Sequence, residues 1–109
     1  MSNQVVDDSV LVASFIASLQ GKDAKTITAY AATVRAFVSW LATMPGGTPF
    51  EPTLLTEAAM RGYLDTLKAK GQAPRTRAKA ITALQRFCRW AQDEGHIRRN
   101  PIPATVLPP

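Results

Sequence analysis

Apolar residues recur along the chain at intervals of three and four positions, which is the spacing of an amphipathic α-helix. Four such stripes are present, and they predict helices over residues 10–19, 25–43, 57–70 and 74–94. No segment shows the strict alternation of apolar and polar residues that is typical of a half-buried β-strand. The pattern therefore predicts an all-α fold built from two helical hairpins.

Residues that favour the beginning and the end of a helix stand at the boundaries of these stripes. Thr56 precedes the third stripe, where its oxygen can accept a hydrogen bond from a free amide, and Pro74 opens the fourth, where a first-turn proline is tolerated. Pro45-Gly46-Gly47 stops the second stripe. The other three stripes are followed by Gly21, Gly71 and Gly95. The candidate N-caps of the first helix are Asp7, Asp8 and Ser9.

One pattern of residues occurs twice, fifty positions apart. The first copy consists of Gly21, Lys25-Thr26, Val34, Phe37 and Trp40, and the second of Gly71, Arg75-Thr76, Leu84, Phe87 and Trp90. The apolar members are expected to be core. The basic-threonine pairs each place a positive charge at a helix N-terminus, where free amides and the helix dipole favour an anion. Thr26 and Thr76 are equally candidates for plain N-caps.

Basic residues are concentrated in the second half of the chain. The chain carries 13 lysines and arginines against 8 acidic residues, a formal net charge of +5. Residues 1–60 hold three basic and five acidic side chains, whereas residues 61–109 hold ten basic and three acidic ones. Between Lys68 and Arg89 there are seven basic residues and no acidic one. Such a block attracts nucleic acid or anionic lipid, although charge alone more often marks a solvated helix face.

On the fourth predicted helix the basic residues line up opposite the apolar stripe. At 100° per residue the residues on this face are Arg75, Lys79, Thr82, Arg86 and Arg89. No carboxylate follows on it until Asp93. A merely solvated face usually mixes both signs of charge. On the second helix the outward residues are mostly small, with Lys25 at the start and Arg35 on the flank. The two helices favour a polyanionic partner.

No constellation of residues predicts an enzyme, a metal site or a cofactor site. The single cysteine, Cys88, falls on an apolar stripe and is expected to be a buried small hydrophobe. His96 has no second histidine, cysteine or acidic cluster beside it, and is expected near a helix C-terminus or in solvent. Tyr30 and Tyr63 lie on apolar stripes and are expected in the core.

The ordered series of motifs resembles the N-terminal core-binding, SAM-like domain of tyrosine recombinases, the phage integrases and the Xer-type enzymes. Residues 25–41, with Lys25-Thr26, Tyr30, Val34, Phe37 and Trp40, resemble the second helix of that domain. Residues 55–71 are similar to its third helix, residues 74–91 to its fourth, and Gly95–Pro101 to its exit. The resemblance covers residues 9–109. It implies a four-to-five-helix orthogonal bundle made of two helical hairpins.

The resemblance implies a site-specific recombinase whose helical and catalytic domains form a clamp around duplex DNA. Helices two and four of such a domain face the major groove and the flanking phosphates. The DNA contacts carried over by position are Lys25, Thr26, Arg35, Arg75, Thr76, Arg77, Lys79 and Arg86, to which the basic face adds Arg89. The family's catalytic arginines, histidine-containing motif and nucleophilic tyrosine have no counterpart here. DNA breaking and rejoining is therefore expected of a parent protein and not of this chain.

The predicted organisation has three parts: a flexible N-terminus over residues 1–8, the helical DNA-binding domain over 9–100, and a proline-rich linker over 101–109 toward a catalytic domain. The expected partners are double-stranded DNA, that catalytic domain and other recombinase protomers. No cofactor and no membrane is expected, and the N-terminus has no basic leader, which favours a cytoplasmic protein. The resemblance implies that it is encoded by a bacterium or a phage.

The alternative function is a helical protein–protein interaction module without DNA binding, because small helical bundles also serve as docking domains. The first helix favours it, since its apolar residues surround most of its circumference. These residues are Val10, Val12, Ile16 and Ala17. A membrane-surface domain is less favoured, because Trp90 is the only aromatic residue that could flank the basic face.

Overall fold

A computed structural model describes residues 10–102 of the protein. It contains four α-helices: α1 (Val10–Ser18), α2 (Ala24–Ala42), α3 (Glu57–Ala69) and α4 (Pro74–Asp93). A single 3₁₀ turn, Pro52–Leu54, precedes α3. No strand occurs within residues 10–102, and the predicted all-α fold is confirmed. The candidate caps Asp7, Asp8 and Ser9, the predicted N-terminus over 1–8, and residues 103–109 of the predicted linker lie outside the described residues.

The chain divides into two compact units between Phe50 and Glu51. The first unit is the hairpin of α1 and α2, which pack against each other. Val12 and Phe15 of α1 and Val34 and Phe37 of α2 have no exposed surface. Phe15, Val34 and Phe37 lie on the predicted stripes, as the spacing indicates. Val12 was expected among the surplus apolar residues of the first helix but is buried, whereas Val10, expected on the stripe, is 83% exposed.

The end of α2 shows why a glycine follows it. Thr43 caps the helix with its backbone N–H and donates its hydroxyl to the Trp40 carbonyl at 2.6 Å. The buried Gly47 then approaches the helix so closely that a Cβ there would lie 1.7 Å from the Leu41 carbonyl oxygen. Only a residue without a Cβ fits this position, because real contacts never come so close. The turn after α2 therefore requires glycine.

The second unit contains the hairpin of α3 and α4, which also pack against each other. The Thr56 hydroxyl oxygen accepts from the Ala59 amide at 3.0 Å, which confirms Thr56 as the N-cap of α3. At the other end Gly71 adopts φ +82°, and the amides of Gly71 and Gln72 donate to the carbonyls of Lys68 and Leu67. This is the Schellman arrangement, which ends α3 and turns the chain toward α4.

The two aromatic pairs of the repeat have matching geometry. The rings of Phe37 and Trp40 stack with centroids 6.2 Å apart, and those of Phe87 and Trp90 do so at the same distance. Both phenylalanines are fully buried, whereas both tryptophans are only half-buried. The prediction that the tryptophans are ordinary core was therefore wrong, because an indole at the end of a stripe is too large to be covered completely. Of the two tyrosines expected in the core, Tyr63 is buried, whereas Tyr30 is only half-buried.

Two contacts hold the chain that follows α4. The Gln92 side-chain amide donates to the Arg98 carbonyl at 3.0 Å, and the Asn100 side-chain oxygen accepts from the Ile102 amide at 3.0 Å. Pro101 and Ile102 are buried. The domain boundary at residue 100 stays a prediction, but the first two residues assigned to the linker are packed against the protein.

Candidate nucleic-acid interface

Helix α4 separates an apolar face from a basic one. Its buried residues are Ala80, Ile81, Ala83, Leu84, Phe87, Cys88 and Ala91. The exposed face opposite carries four cations, here called the basic row. The basic row consists of Arg75, Lys79, Arg86 and Arg89, all of them exposed. The helical phase therefore places these four predicted contacts on one surface, as the sequence indicated.

The cations of the basic row are not paired with acidic side chains of the described chain. None of its four side chains has a hydrogen bond or an ion pair within residues 10–102. With a rise of 1.5 Å per residue, the row extends for about 21 Å along the helix. The major groove of DNA, about 12 Å wide, admits an α-helix, so a row of this length can reach several phosphates on its edges. Thr82 lies on the same face and donates its hydroxyl to the Ala78 carbonyl at 3.1 Å.

The N-terminus of α4 is open to an anion. The N-cap residue is Ala73, which has no side-chain oxygen, and Pro74 occupies the first helical position. The amides of Arg75 and Thr76 and the Thr76 hydroxyl have no partner within the described residues. The first backbone hydrogen bond of the helix is donated by Arg77 to the Ala73 carbonyl at 3.0 Å. Free amides and the helix dipole favour negative charge at this end.

The N-terminus of α2 is closed by its own carboxylate. Asp23 is the N-cap, and its Oδ2 accepts from both the amide and the hydroxyl of Thr26, each at 3.2 Å. Thr26 is thus the third residue of α2, as Thr76 is of α4. The interpretation of these threonines as N-caps was wrong, because the cap residue lies three positions earlier in both copies. The Asp23 charge also opposes an external anion at this site.

The outward face of α2 carries little charge. Lys25, in the first turn of α2, and Arg35, in its second half, are exposed, and the exposed residues between them are small. These small residues are Thr28, Ala29 and Ala32. The predicted contacts on α2 are therefore two separated cations and a threonine whose hydroxyl is already engaged with Asp23.

Arg77 departs from the other predicted contacts on α4. Its side chain is half-buried, and its Nε donates to the Gln72 carbonyl at 3.3 Å. Sequence reasoning also missed Asp23 and Ala73, the residues that decide whether each helix N-terminus is closed or open. The signal was present in the sequence, since aspartate is a preferred N-cap and alanine is not.

Cys88 and His96 have side chains of types that often act in catalysis, but their surroundings here are those of structural residues. Cys88 has no exposed surface, and burial raises the pKa of its thiol to about 12. This confirms the expected buried hydrophobe, since the thiolate needed for nucleophilic chemistry is disfavoured. The His96 amide donates to the Ala91 carbonyl at 2.8 Å, and its exposed ring lies 5.4 Å from the Trp90 ring. The predicted position of His96 at a helix C-terminus is thereby confirmed.

Neither a metal-binding cluster nor a membrane-spanning helix is found within residues 10–102. Among these residues there is no group of three or more histidine, cysteine or acidic side chains arranged to hold a metal ion. None of the four helices described is both long enough and apolar enough to cross a membrane.

Comparisons with known proteins agree on a family. The family model of the phage integrase N-terminal SAM-like domain matches residues 12–95. Tyrosine recombinase XerC of Chlorobaculum tepidum is 29% identical over 94 residues. The match covers 84% of this chain and 28% of that relative, so the chain spans little more than a quarter of the relative's length. No solved structure matches the chain significantly.

Proposed function

Because the chain belongs to the family of phage integrase N-terminal SAM-like domains, and so to the tyrosine recombinases, we propose that it binds duplex DNA in site-specific recombination. The basic row of α4 is the observation that carries the proposal. Four exposed cations without acidic partners lie along one helix face, and an open helix N-terminus lies at its beginning. Both features favour phosphate oxygens.

Helix α4 is proposed as the main contact, and α2 as a weaker one. On α4 the contacts are Arg75, Thr76, Lys79, Arg86 and Arg89. Lys25, Thr26 and Arg35 are the contacts proposed on α2. The difference between the helices follows from charge, because α2 offers two cations and has the Asp23 carboxylate at its N-terminus. Removing cations from α4 is therefore expected to weaken binding more than removing them from α2.

The proposed binding is dominated by the DNA backbone and only weakly selective for sequence. Arginine and lysine contacts to phosphates position a protein on the duplex, whereas contacts to base edges read its sequence. About five phosphate contacts give a slope of roughly −4.5 when the logarithm of the association constant is plotted against that of the salt concentration. A steep salt dependence is therefore the signature of this function.

In the whole protein we assign the breaking and rejoining of DNA to a catalytic domain that follows residues 9–100 through the proline-rich segment. That domain, together with other recombinase protomers, would be the protein partner of this chain. Sequence selectivity would be shared between the helical and the catalytic domains. These assignments rest on membership of the family of N-terminal domains.

The proposal is tested by titrating a fluorescent 20-base-pair duplex with the chain at several salt concentrations and following the anisotropy. The double variant Lys79→Ala/Arg86→Ala removes two cations of the basic row, and the slope is expected to decrease in magnitude by about two. The matched control is Arg98→Ala/Arg99→Ala, which removes the same charge from exposed positions outside the helices. The control is expected to retain most of the slope.

Two outcomes would contradict the proposal. If the wild-type chain bound the duplex with a flat salt response, phosphate contacts would not drive its binding. If both double variants changed the slope equally, the net charge and not the basic row would be responsible. Tight binding to a protein partner together with no binding to the duplex would favour the interaction module instead.

A further inference from the structure

Arg77 lies on a different face of α4 from the basic row. Seven residues separate it from Leu84, so at 100° per residue the two side chains leave the helix within about 20° of each other. Leu84 has no exposed surface and lies in the middle of the apolar face. Arg77 therefore extends from the first turn of the buried side, and its half-buried state agrees with that phase.

The surroundings of Arg77 contain acidic as well as basic groups. The side chain lines a shallow cleft of the second unit together with Leu64, Ile81, Arg61 and Asp65. Asp65 brings a carboxylate into this cleft, whereas the basic row has none along its length. A positive charge that shares a cleft with a carboxylate attracts an external phosphate less than one with no carboxylate in its surroundings. The charged groups near Arg77 thus belong to α3, and Arg77 is not part of the exposed basic row.

The Arg77 guanidinium also holds the turn between α3 and α4. Its Nε donates to the Gln72 carbonyl at 3.3 Å, while the Gln72 amide donates to the Leu67 carbonyl at 3.1 Å. The peptide groups of Gln72 are therefore bonded on one side to the last turn of α3 and on the other side to the first turn of α4. This arrangement ties the turn to both helices.

We propose that Arg77 is a positioning residue that orients the open N-terminus of α4, and that it does not itself contact DNA. The inference rests on the proposed DNA binding and explains why Arg77, a contact expected from the sequence, is not among the contacts proposed on α4. The residues that it positions are Arg75 and Thr76, whose free amides lie two and one positions before it. Loss of the Gln72 contact lets these amides move relative to the basic row.

The experiment compares Arg77→Met, Arg77→Lys and the matched variant Lys79→Met by anisotropy titrations over a range of salt concentrations. Lys79→Met removes a phosphate contact and is expected to reduce the magnitude of the slope by about one. Arg77→Met is expected to leave the slope unchanged and to weaken binding about three- to tenfold, which corresponds to one lost hydrogen bond. Arg77→Lys keeps the charge but lacks the planar fork, so it should behave as Arg77→Met does.

Hydrogen exchange provides a second readout without DNA. The Gln72 amide is expected to exchange about three- to tenfold faster in both Arg77 variants than in the wild type and in Lys79→Met. An unchanged exchange rate would show that Arg77 does not hold the turn. If the wild-type chain did not bind DNA at all, the proposed function would fail, and this exchange rate would still decide whether Arg77 holds the turn.

Three further results would overturn the inference. A slope reduced by one in Arg77→Met and restored in Arg77→Lys would show that Arg77 is itself a phosphate contact. A faster Gln72 exchange with wild-type affinity would show that the turn does not position the DNA-binding groups. Wild-type affinity in Arg77→Lys alone would show that charge, and not the geometry of the guanidinium, is what the site requires.

Discussion

The substitution Ala73→Asp would give α4 the N-cap that α2 already has. The backbone conformation at this position already suits an aspartate cap, because Ala73 has φ −64° and ψ 151°, close to the −57° and 139° of Asp23. In α2 the Asp23 carboxylate reaches the amide and the hydroxyl of the third helical residue, Thr26. The third residue of α4 is also a threonine, Thr76. We therefore expect the introduced carboxylate to form the same two contacts.

The expected effects on stability and on DNA binding have opposite signs. Replacing an alanine by a good N-cap stabilises a protein by about 1 kcal/mol, which raises the melting temperature by about 4 °C in a chain of this size. The same carboxylate occupies amides proposed to face a phosphate and adds a negative charge beside it. A lost hydrogen bond to a charged group is worth about 1.5–3 kcal/mol, so affinity for the duplex should fall about 10- to 100-fold at low salt.

The assays are thermal unfolding followed by circular dichroism and anisotropy titration at low and moderate salt. The variant Ala73→Asn serves as a control, because asparagine caps about as well as aspartate but adds no charge. It should match the stabilisation and show a smaller loss of affinity. A variant that is more stable and binds DNA as the wild type does would refute the reasoning, since the N-terminus of α4 would then not meet a phosphate. A variant without any added stability would refute the assumed equivalence of the two caps.

Two further predictions concern residues outside the interface. Gly47→Ala is expected to destabilise the protein by about 3 kcal/mol in urea unfolding, because its Cβ would meet the Leu41 carbonyl oxygen at 1.7 Å. Gly46→Ala, at φ +76° with open space around it, should cost only about 1 kcal/mol, and equal losses would contradict the steric explanation. Burial raises the pKa of the Cys88 thiol from 9.0 to about 12, so the stability gained by keeping it neutral is complete below pH 9 and is lost as the pH rises toward 12. Unfolding free energies measured from pH 8 to pH 11 should therefore fall less steeply in Cys88→Ala, and parallel profiles would count against the role of the thiol.

The helices could be predicted from the sequence because their signals are local. The spacing of apolar residues in α4 predicted its buried and exposed faces correctly. The start of α3 could be predicted from Thr56 alone, because threonine is a preferred N-cap. The half-burial of Trp40 and Trp90 could not be read from the same spacing, since periodicity gives the direction of a side chain but not how much of it its neighbours cover.

Arg77 shows a different limit of sequence reasoning. Resemblance to the family assigned it to the DNA contacts by position, whereas the helical phase of its own helix puts it on the side of Leu84. The phase was available from the sequence, but the Gln72 carbonyl that the guanidinium reaches lies in a turn whose conformation follows no period. The position of a residue in a family motif and its phase on a helix are thus two separate predictions. Where they differ, as at Arg77, the helical phase indicates which side of the helix the side chain lies on.

The two copies of the repeat share the geometry of their aromatic pairs but differ in how the N-terminus of the long helix is capped. Each has a stacked phenylalanine and tryptophan at 6.2 Å, and each begins its long helix with a basic residue and a threonine at the second and third positions. The difference lies in the residue just before the helix, because the Asp23 carboxylate accepts from the Thr26 amide of α2, whereas Ala73 leaves the Thr76 amide of α4 without a side-chain partner. An N-cap carboxylate and an external phosphate compete for the amide of the third helical residue, and the carboxylate also repels the phosphate, so capping weakens anion binding at that helix end. The copy with the poorer cap is therefore the one we propose as the main DNA contact, and it is also the one whose exposed face continues into the basic row.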